Sequence, residues 1–302
     1  MYMKKKWNLL ILMVSVMLSQ YVAAQSQLVF KMTKENGHFY LTAPINGVEG
    51  KMMFETGVPG FMIGDAFYNA NKEALNMELS ECHERIRYLG GFHDIIFSGN
   101  ARLRIGDAIY VGPVKIVKND ANLKLPIHLL KHPSDSSSIV MMDLKKSEFS
   151  MLSQAELQKI AKEAPSFALS FNQWNMPVIN TVLSMEVGGQ RMSLEGNFIT
   201  DMGNASLLFL NKSQEAVVGM LEANNVKLQA ARNRSGKVVA EGLLAEKLAI
   251  CNRIYTGVSV GVNPFRGLRE CGFLGLKFFT MPTVFDFSGS RMYLLNEAKV
   301  VE

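Results

Sequence analysis

Apolar residues in this chain come in short runs, many alternating with polar ones and many closed by Gly, Asn or Pro. That is the pattern of half-buried strands joined by turns. Residues 38–45 run His-Phe-Tyr-Leu-Thr-Ala-Pro-Ile into Asn46-Gly47, a strong hairpin signal, and Gly188-Gly189 offers the matching turn later in the chain. Helical periodicity is confined to three places, 65–79, 154–164 and 212–225, with Ser153 and Asn211 placed to cap the second and third. The pattern predicts a β-dominated protein with a few short helices.

Twice an apolar run ends in an acid, any residue and glycine: Met52-Met53-Phe54-Glu55-Thr56-Gly57 and Phe198-Ile199-Thr200-Asp201-Met202-Gly203. A second apolar run follows each, Phe61-Met62-Ile63 and Leu207-Leu208-Phe209-Leu210, so each acid is expected on a tight turn between two strands. The repeat extends further. Glu55 and Asp201 are 146 apart, the strand-ending Asp143 and Asp286 are 143 apart, and the strand pairs within 101–117 and 243–262 align Ile105 with Leu248, again 143 apart. Offsets this similar predict an internal duplication, with small differences absorbed by loops. The expected organisation is a leader over 1–24, a β lobe over 25–152, a helical join over 153–175 and a second β lobe over 176–302.

The leader is read from Lys4-Lys5-Lys6, an apolar stretch from Trp7 to Val22 and small residues before a cut at Gln25. Its removal takes three lysines and no acid, so the formal charge falls from +5 to +2. That balance gives no reason to expect nucleic acid or an anionic membrane as partner. No later stretch is apolar over the roughly 20 residues a membrane span needs, so an exported, periplasmic or secreted protein is expected. Of Cys82, Cys251 and Cys271, the last two share a half of the chain and could pair. The five histidines are scattered, without zinc spacing, and are expected at surface or turn positions, so neither a metal nor another cofactor is implied. Asn-x-Ser triplets begin at Asn204, Asn211 and Asn233. The methionines, such as Met52, Met53, Met141 and Met142, read as core filling.

A duplicated β lobe with an apolar-acid-x-Gly turn resembles the aspartic peptidases of the pepsin and retropepsin clan. Gly272-Phe273-Leu274-Gly275 looks like the clan's second glycine motif and Val284-Phe285-Asp286-Phe287 like its closing strand. The resemblance covers nearly all of the chain after the leader, though its motifs are short. It implies an interlobe cleft for an extended peptide or protein ligand, and a dyad of Glu55 and Asp201. Two carboxyls about 3 Å apart hold one proton between them and grip a water; the ionised member acts as base and the protonated one stabilises the developing oxygen. The same resemblance implies that Thr56, Gly57, Met202 and Gly203 shape the site. It also makes Tyr88, Gly90 and Gly91, within Tyr88-Leu89-Gly90-Gly91-Phe92, a substrate-covering flap, with Asn233-Arg234-Ser235-Gly236 in the comparable place of the second half.

The sequence departs from that pattern in four ways. Glu55 replaces an aspartate, Met202 replaces a Thr or Ser, Pro59 and Ala205 stand where a carboxylate-holding hydroxyl is usual, and Leu125-Pro126-Ile127-His128-Leu129 fills the place of a first-half glycine motif. A carboxyl displaced by roughly 1 Å can lose on the order of a hundredfold in rate. The expectation is therefore a peptide-binding protein with a weakly active or silent dyad; the alternatives are an active aspartic endopeptidase and a non-enzymatic surface or assembly component.

Overall fold

The computed structural model describes residues 28–88, 91–232 and 238–295. It is a two-lobed, β-dominated fold in which the duplication is explicit. In the first half, Val48–Glu55 pairs in parallel with Leu123–Pro126, while Phe61–Gly64 pairs antiparallel with that same strand and in parallel with Ala108–Val117. In the second, Gln190–Thr200 pairs in parallel with Gly272–Leu274, and Leu208–Asn211 pairs antiparallel with it and in parallel with Arg253–Asn263. Each set is extended by the hairpins the turns predict. Ile45 pairs with Val48 around Asn46-Gly47, and Val187 with Gln190 around Gly188-Gly189, all four turn residues at positive φ. The period-two pattern is realised in burial: Phe39, Leu41, Ala43 and Ile45 of His38–Ile45 all point into the core. Each large one of these contributes roughly 1.5–3 kcal/mol by leaving water.

A third sheet joins the lobes. Its strand order is Ser166–Phe171, Arg291–Leu294, Thr283–Asp286, Ile139–Asp143, Glu148–Met151 and Leu28–Glu35, all antiparallel. The two central strands are the ones ending in Asp143 and Asp286, and they pair with each other, Val140 opposite Phe285. Each aspartate turns its chain in the same manner, accepting from the backbone N–H of Lys145 and Lys146 in one case and of Gly289 in the other. The outer strands Leu28–Glu35 and Ser166–Phe171 each pass out of this sheet into a lobe, pairing next with His38–Ile45 and Pro177–Val187. Phe149 ties the joining sheet to the first lobe by stacking on Phe30 and packing 4.9 Å from Phe54.

Several expectations are corrected. The helices are shorter than their periodicity, Asp65–Leu75, Gln154–Ala161 and Glu215–Ala223. Ser153 caps the second with a full capping box, but Asn211 does not cap the third. Its amide is fully buried and instead contacts the carbonyls of Phe265, Leu268 and Glu270. Asn204 is buried too, so neither presents a surface amide for glycosylation; Asn233 lies outside the described residues. The hairpin turns at Gly106-Asp107 and Cys251-Asn252 place Ile105 opposite Ala108 and Ile250 opposite Arg253, so Ile105 matches Ile250 rather than Leu248. Cys251 and Cys271 are free thiols, as is Cys82. Cys251 sits by the Thr181 hydroxyl, and Cys271 packs over Gly196, where a Cβ would come within 2.5 Å of its sulfur. Two histidines expected at surface or turn positions, His128 and His132, are buried, His132 where it opens a turn. Leu125-Pro126-Ile127-His128-Leu129 lacks a glycine motif, yet its first two residues end a strand, Leu123–Pro126, that makes the parallel pairing of its second-half counterpart. The leader lies outside the described residues.

Candidate active site

Glu55 is the last residue of its strand and Asp201 follows directly on its own, so both acids emerge where paired strands stop and the chain must turn. The flanking strands hold each turn from behind: Glu55 is in register with Pro126, and the N–H of Asp201 donates to the Leu274 carbonyl at 2.8 Å. The two turns meet. Thr56 is fully buried between them; its hydroxyl donates to the Thr200 carbonyl at 2.7 Å and accepts from the Met202 N–H at 3.1 Å. The reciprocal pair from the second turn is absent because Met202 has no hydroxyl. Its side chain is fully buried in the core instead, which removes it from any ligand surface.

Only glycine fits at the contact between turns. A Cβ on Gly203 would lie 1.9 Å from Glu55 Oε1, and one on Gly57 would lie 2.5 Å from Asp201 Oδ1. The N–H of Gly203 therefore reaches both acids, 2.9 Å from Glu55 Oε2 and 3.2 Å from Asp201 Oδ1, which brings the two carboxyls to one donor. Gly57 N–H donates to Glu55 Oε2 at a longer 3.3 Å. The extra methylene of glutamate shows in these contacts: the Glu55 carboxyl crosses the seam and makes its shorter hydrogen bond to the opposite turn.

Both acids are more than nine-tenths buried. Burial is the largest cause raising each above its ordinary carboxylate range. Asp201 goes well above it, because the Glu55 charge adds to burial, whereas for Glu55 the opposing effects of Lys124 and of N–H groups from Gly57, Gly203 and Thr56 limit the rise. The two acids therefore titrate as one coupled pair, with both members raised by burial. Lys124 is a neighbour that the sequence pattern did not flag. It is half-buried, opposite Met53 in the register, and so on the strand face that Met53 shares with Glu55. A lone lysine in a strand carries no motif; only the parallel pairing reveals it.

Pro59 and Ala205 lack the side-chain oxygen that would hold the acids, and Ser206 does not replace it: its hydroxyl is buried without a partner among the described residues. The flap expectation rests on a hairpin that is present, with Ser80–Tyr88 and Gly91–Ile105 paired up to Tyr88 opposite Gly91. Leu89 and Gly90 at its tip lie outside the described residues, as do 233–237 between the paired Gln229–Arg232 and Val238–Ile250. Among the described residues no group of three or more His, Cys, Asp or Glu could hold a metal ion.

No family model and no curated protein matches the chain. Among solved structures it is similar to the aspartic proteinase from Irpex lacteus, with a TM-score of 0.55 and 10% identity over 90% of this chain and 97% of that one. The chain has the aspartic-proteinase fold. The basic 7S globulin from soybean is also similar, with a TM-score of 0.48 and 10% identity over 89% and 94% of the two chains. At such identity the likeness speaks of the fold, and the chemistry has to be argued from Glu55, Asp201 and what holds them.

Proposed function

We propose that this is an aspartic-peptidase-like protein that binds extended peptides between its lobes and whose Glu55–Asp201 pair is a weakened dyad, slow or silent in hydrolysis. The observation that carries this is the one-sided lock between the turns: Thr56 supplies both of its hydrogen bonds and Met202 supplies no side-chain partner in return. A dyad works through fixed geometry, and here one turn is secured by a side chain, the other only by its backbone, while the longer Glu55 arm leans across the seam. The residues named for ligand contact are Gly57, Gly203 and the flap around Tyr88, Gly90 and Gly91; Thr56 and Met202 act by positioning. Export, proposed from residues 1–24, suits a protein that meets peptides outside the cytoplasm.

The meeting of both acids at the Gly203 N–H favours a second proposal, an active aspartic endopeptidase, since paired acids that can share a proton are what water activation requires. A mixed peptide library incubated from pH 3 to pH 8 separates the two. The weakened dyad predicts peptide retention that survives Asp201→Asn, with little or no cleavage. Rapid cleavage in acid that Asp201→Asn abolishes establishes the endopeptidase, and neither retention nor cleavage by folded protein refutes both.

A further inference from the structure

Away from the acid pair, a cavity of about 370 Å³ opens beside the hairpin turn at Cys251 and Asn252. Arg253, first residue of the strand Arg253–Asn263, lines it and is only 8% exposed. One guanidinium nitrogen, Nη1, donates to the Phe278 carbonyl, which Tyr255 Oη also reaches at 3.0 Å, and the guanidinium carbon stands 5.1 Å from the centre of the Phe278 ring. The other two nitrogens, Nε and Nη2, are buried with no hydrogen-bond partner among the described residues. A guanidinium keeps its charge near neutral pH, and a buried charge without a counter-ion is strongly destabilising. An anion is what the arrangement lacks.

The rest of the wall narrows the kind of anion. Pro165, Ile254, Met281 and Leu295 are apolar, and Ile254 is left 64% exposed. No second Lys, Arg or His lines the cavity, so a singly charged carboxylate is matched and a doubly charged phosphate is not. A planar carboxylate also fits the guanidinium fork, which can offer two parallel N–H donors. The volume lies near the lower end of the roughly 300–1,000 Å³ typical of ligand cavities, which suits a small molecule.

We propose that this cavity binds a small carboxylate with an apolar body, the carboxylate pairing with Arg253 and the hydrocarbon covering Ile254, Met281, Leu295 and Pro165. The site is separate from the acid pair, so the proposal stands whether or not the protein cleaves peptides. Nε and Nη2 are closed off from solvent in this structure, so the proposal includes a turn of the Arg253 side chain on binding.

Thermal unfolding of the protein at pH 7 tests it, with sodium hexanoate and benzoate as probes, hexanol and benzyl alcohol as uncharged counterparts, and sodium chloride at matched ionic strength. The acids are expected to raise the Tm progressively with concentration, as selective binding to the folded state must; the alcohols and salt are not. Arg253→Met should abolish the acid-specific rise and, without ligand, unfold at a Tm no lower than that of the original protein, since an unpaired buried charge has been removed. If that variant fails to fold, Arg253→Lys serves instead, with binding followed by ligand-detected NMR and expected about tenfold weaker because the fork is lost. Equal shifts from acid and alcohol, equal acid binding before and after either substitution, or no shift up to the solubility of the acids would each overturn the proposal.

Discussion

In the second lobe the strand behind the acid turn is Gly272-Phe273-Leu274, running on to Gly275; in the first it is Leu123-Lys124-Leu125-Pro126. The parallel pairing is the same, but the packing solution differs. A Cβ on Gly272 would lie 2.0 Å from the Phe209 carbonyl oxygen, and one on Gly275 would lie 2.4 Å from that of Ser206. In the first lobe the space is made on the neighbouring strand: a Cβ on Gly50 would meet the Ile45 and Leu123 side chains at 2.7 and 3.1 Å. Gly196 stands 146 residues after Gly50 and makes room for Cys271 in the same way. Backbone pairing therefore survives wide changes in side chains, whereas the lock between the turns depends on a hydroxyl that only Thr56 retains. The comparison separates what holds the fold from what holds the chemistry.

Making the lobes alike should fail first where backbone meets backbone. Gly272→Leu, which copies Leu123 into the second lobe, is expected to cost more than about 4 kcal/mol or to prevent folding, because the clash is with a carbonyl rather than a flexible side chain. Leu123→Gly should cost about 3 kcal/mol through lost burial and a cavity. Urea unfolding measures both, and two mild losses would mean that the lobes are interchangeable at this strand.

His128 sharpens the comparison through pH. By register it matches Lys277, which is exposed, yet His128 is buried against Phe171 and Phe287. Burial is the chief cause holding its pKa at about 3; a backbone contact at Asn175 opposes it, and the smaller effect of the Lys131 charge adds to it. The folded-state value lies below the ordinary 6.5, so the neutral ring's contribution is present above about pH 6.5 and is lost as pH falls toward 3. The loss approaches roughly 5 kcal/mol at the acid end. His128→Phe should flatten that part of the stability curve; an unchanged acid slope would remove the ring from the account.

Thr56→Val comes next. It deprives the Thr200 carbonyl and the Met202 N–H of their partner in a buried seam, at about 1–3 kcal/mol for each group left unsatisfied. Met202→Leu, a change of similar volume at the matching position, should cost less than about 1.5 kcal/mol. Similar losses from the two would show that Thr56 is merely packed.

Much of this architecture was legible in the chain. The acid turns, the Asn-Gly and Gly-Gly hairpins, the offset near 146 and the closing strands are local or repeated signals, and local signals survive in sequence. The joining sheet, Lys124 beside the acids, the one-sided grip of Thr56 and the burial of His128 arise between residues far apart in the chain, where no local pattern forms. Asn211 misled because an Asn before a helix reads as a cap, and its buried amide is instead claimed by carbonyls more than fifty residues away.

The smallest expected effect is a gain. Glu55→Asp with Met202→Thr shortens the arm and supplies the missing hydroxyl, and should bring peptide cleavage to a measurable level; either change alone should do less, since both act on one pair. A folded double variant that remains inert would place the defect elsewhere, at Pro59, Ala205 or Lys124.

The central claim is that the two turns bring Glu55 and Asp201 together as one coupled pair, and carboxyl-carbon NMR titration of Asp201 with and without Glu55→Gln tests it most directly. The account predicts that Asp201 loses its proton well above the ordinary carboxylate range. Glu55→Gln should lower that value only in part, because burial is the larger cause and the Glu55 charge the lesser. Titration of Asp201 in the ordinary range, or no response to the change at Glu55, would contradict it.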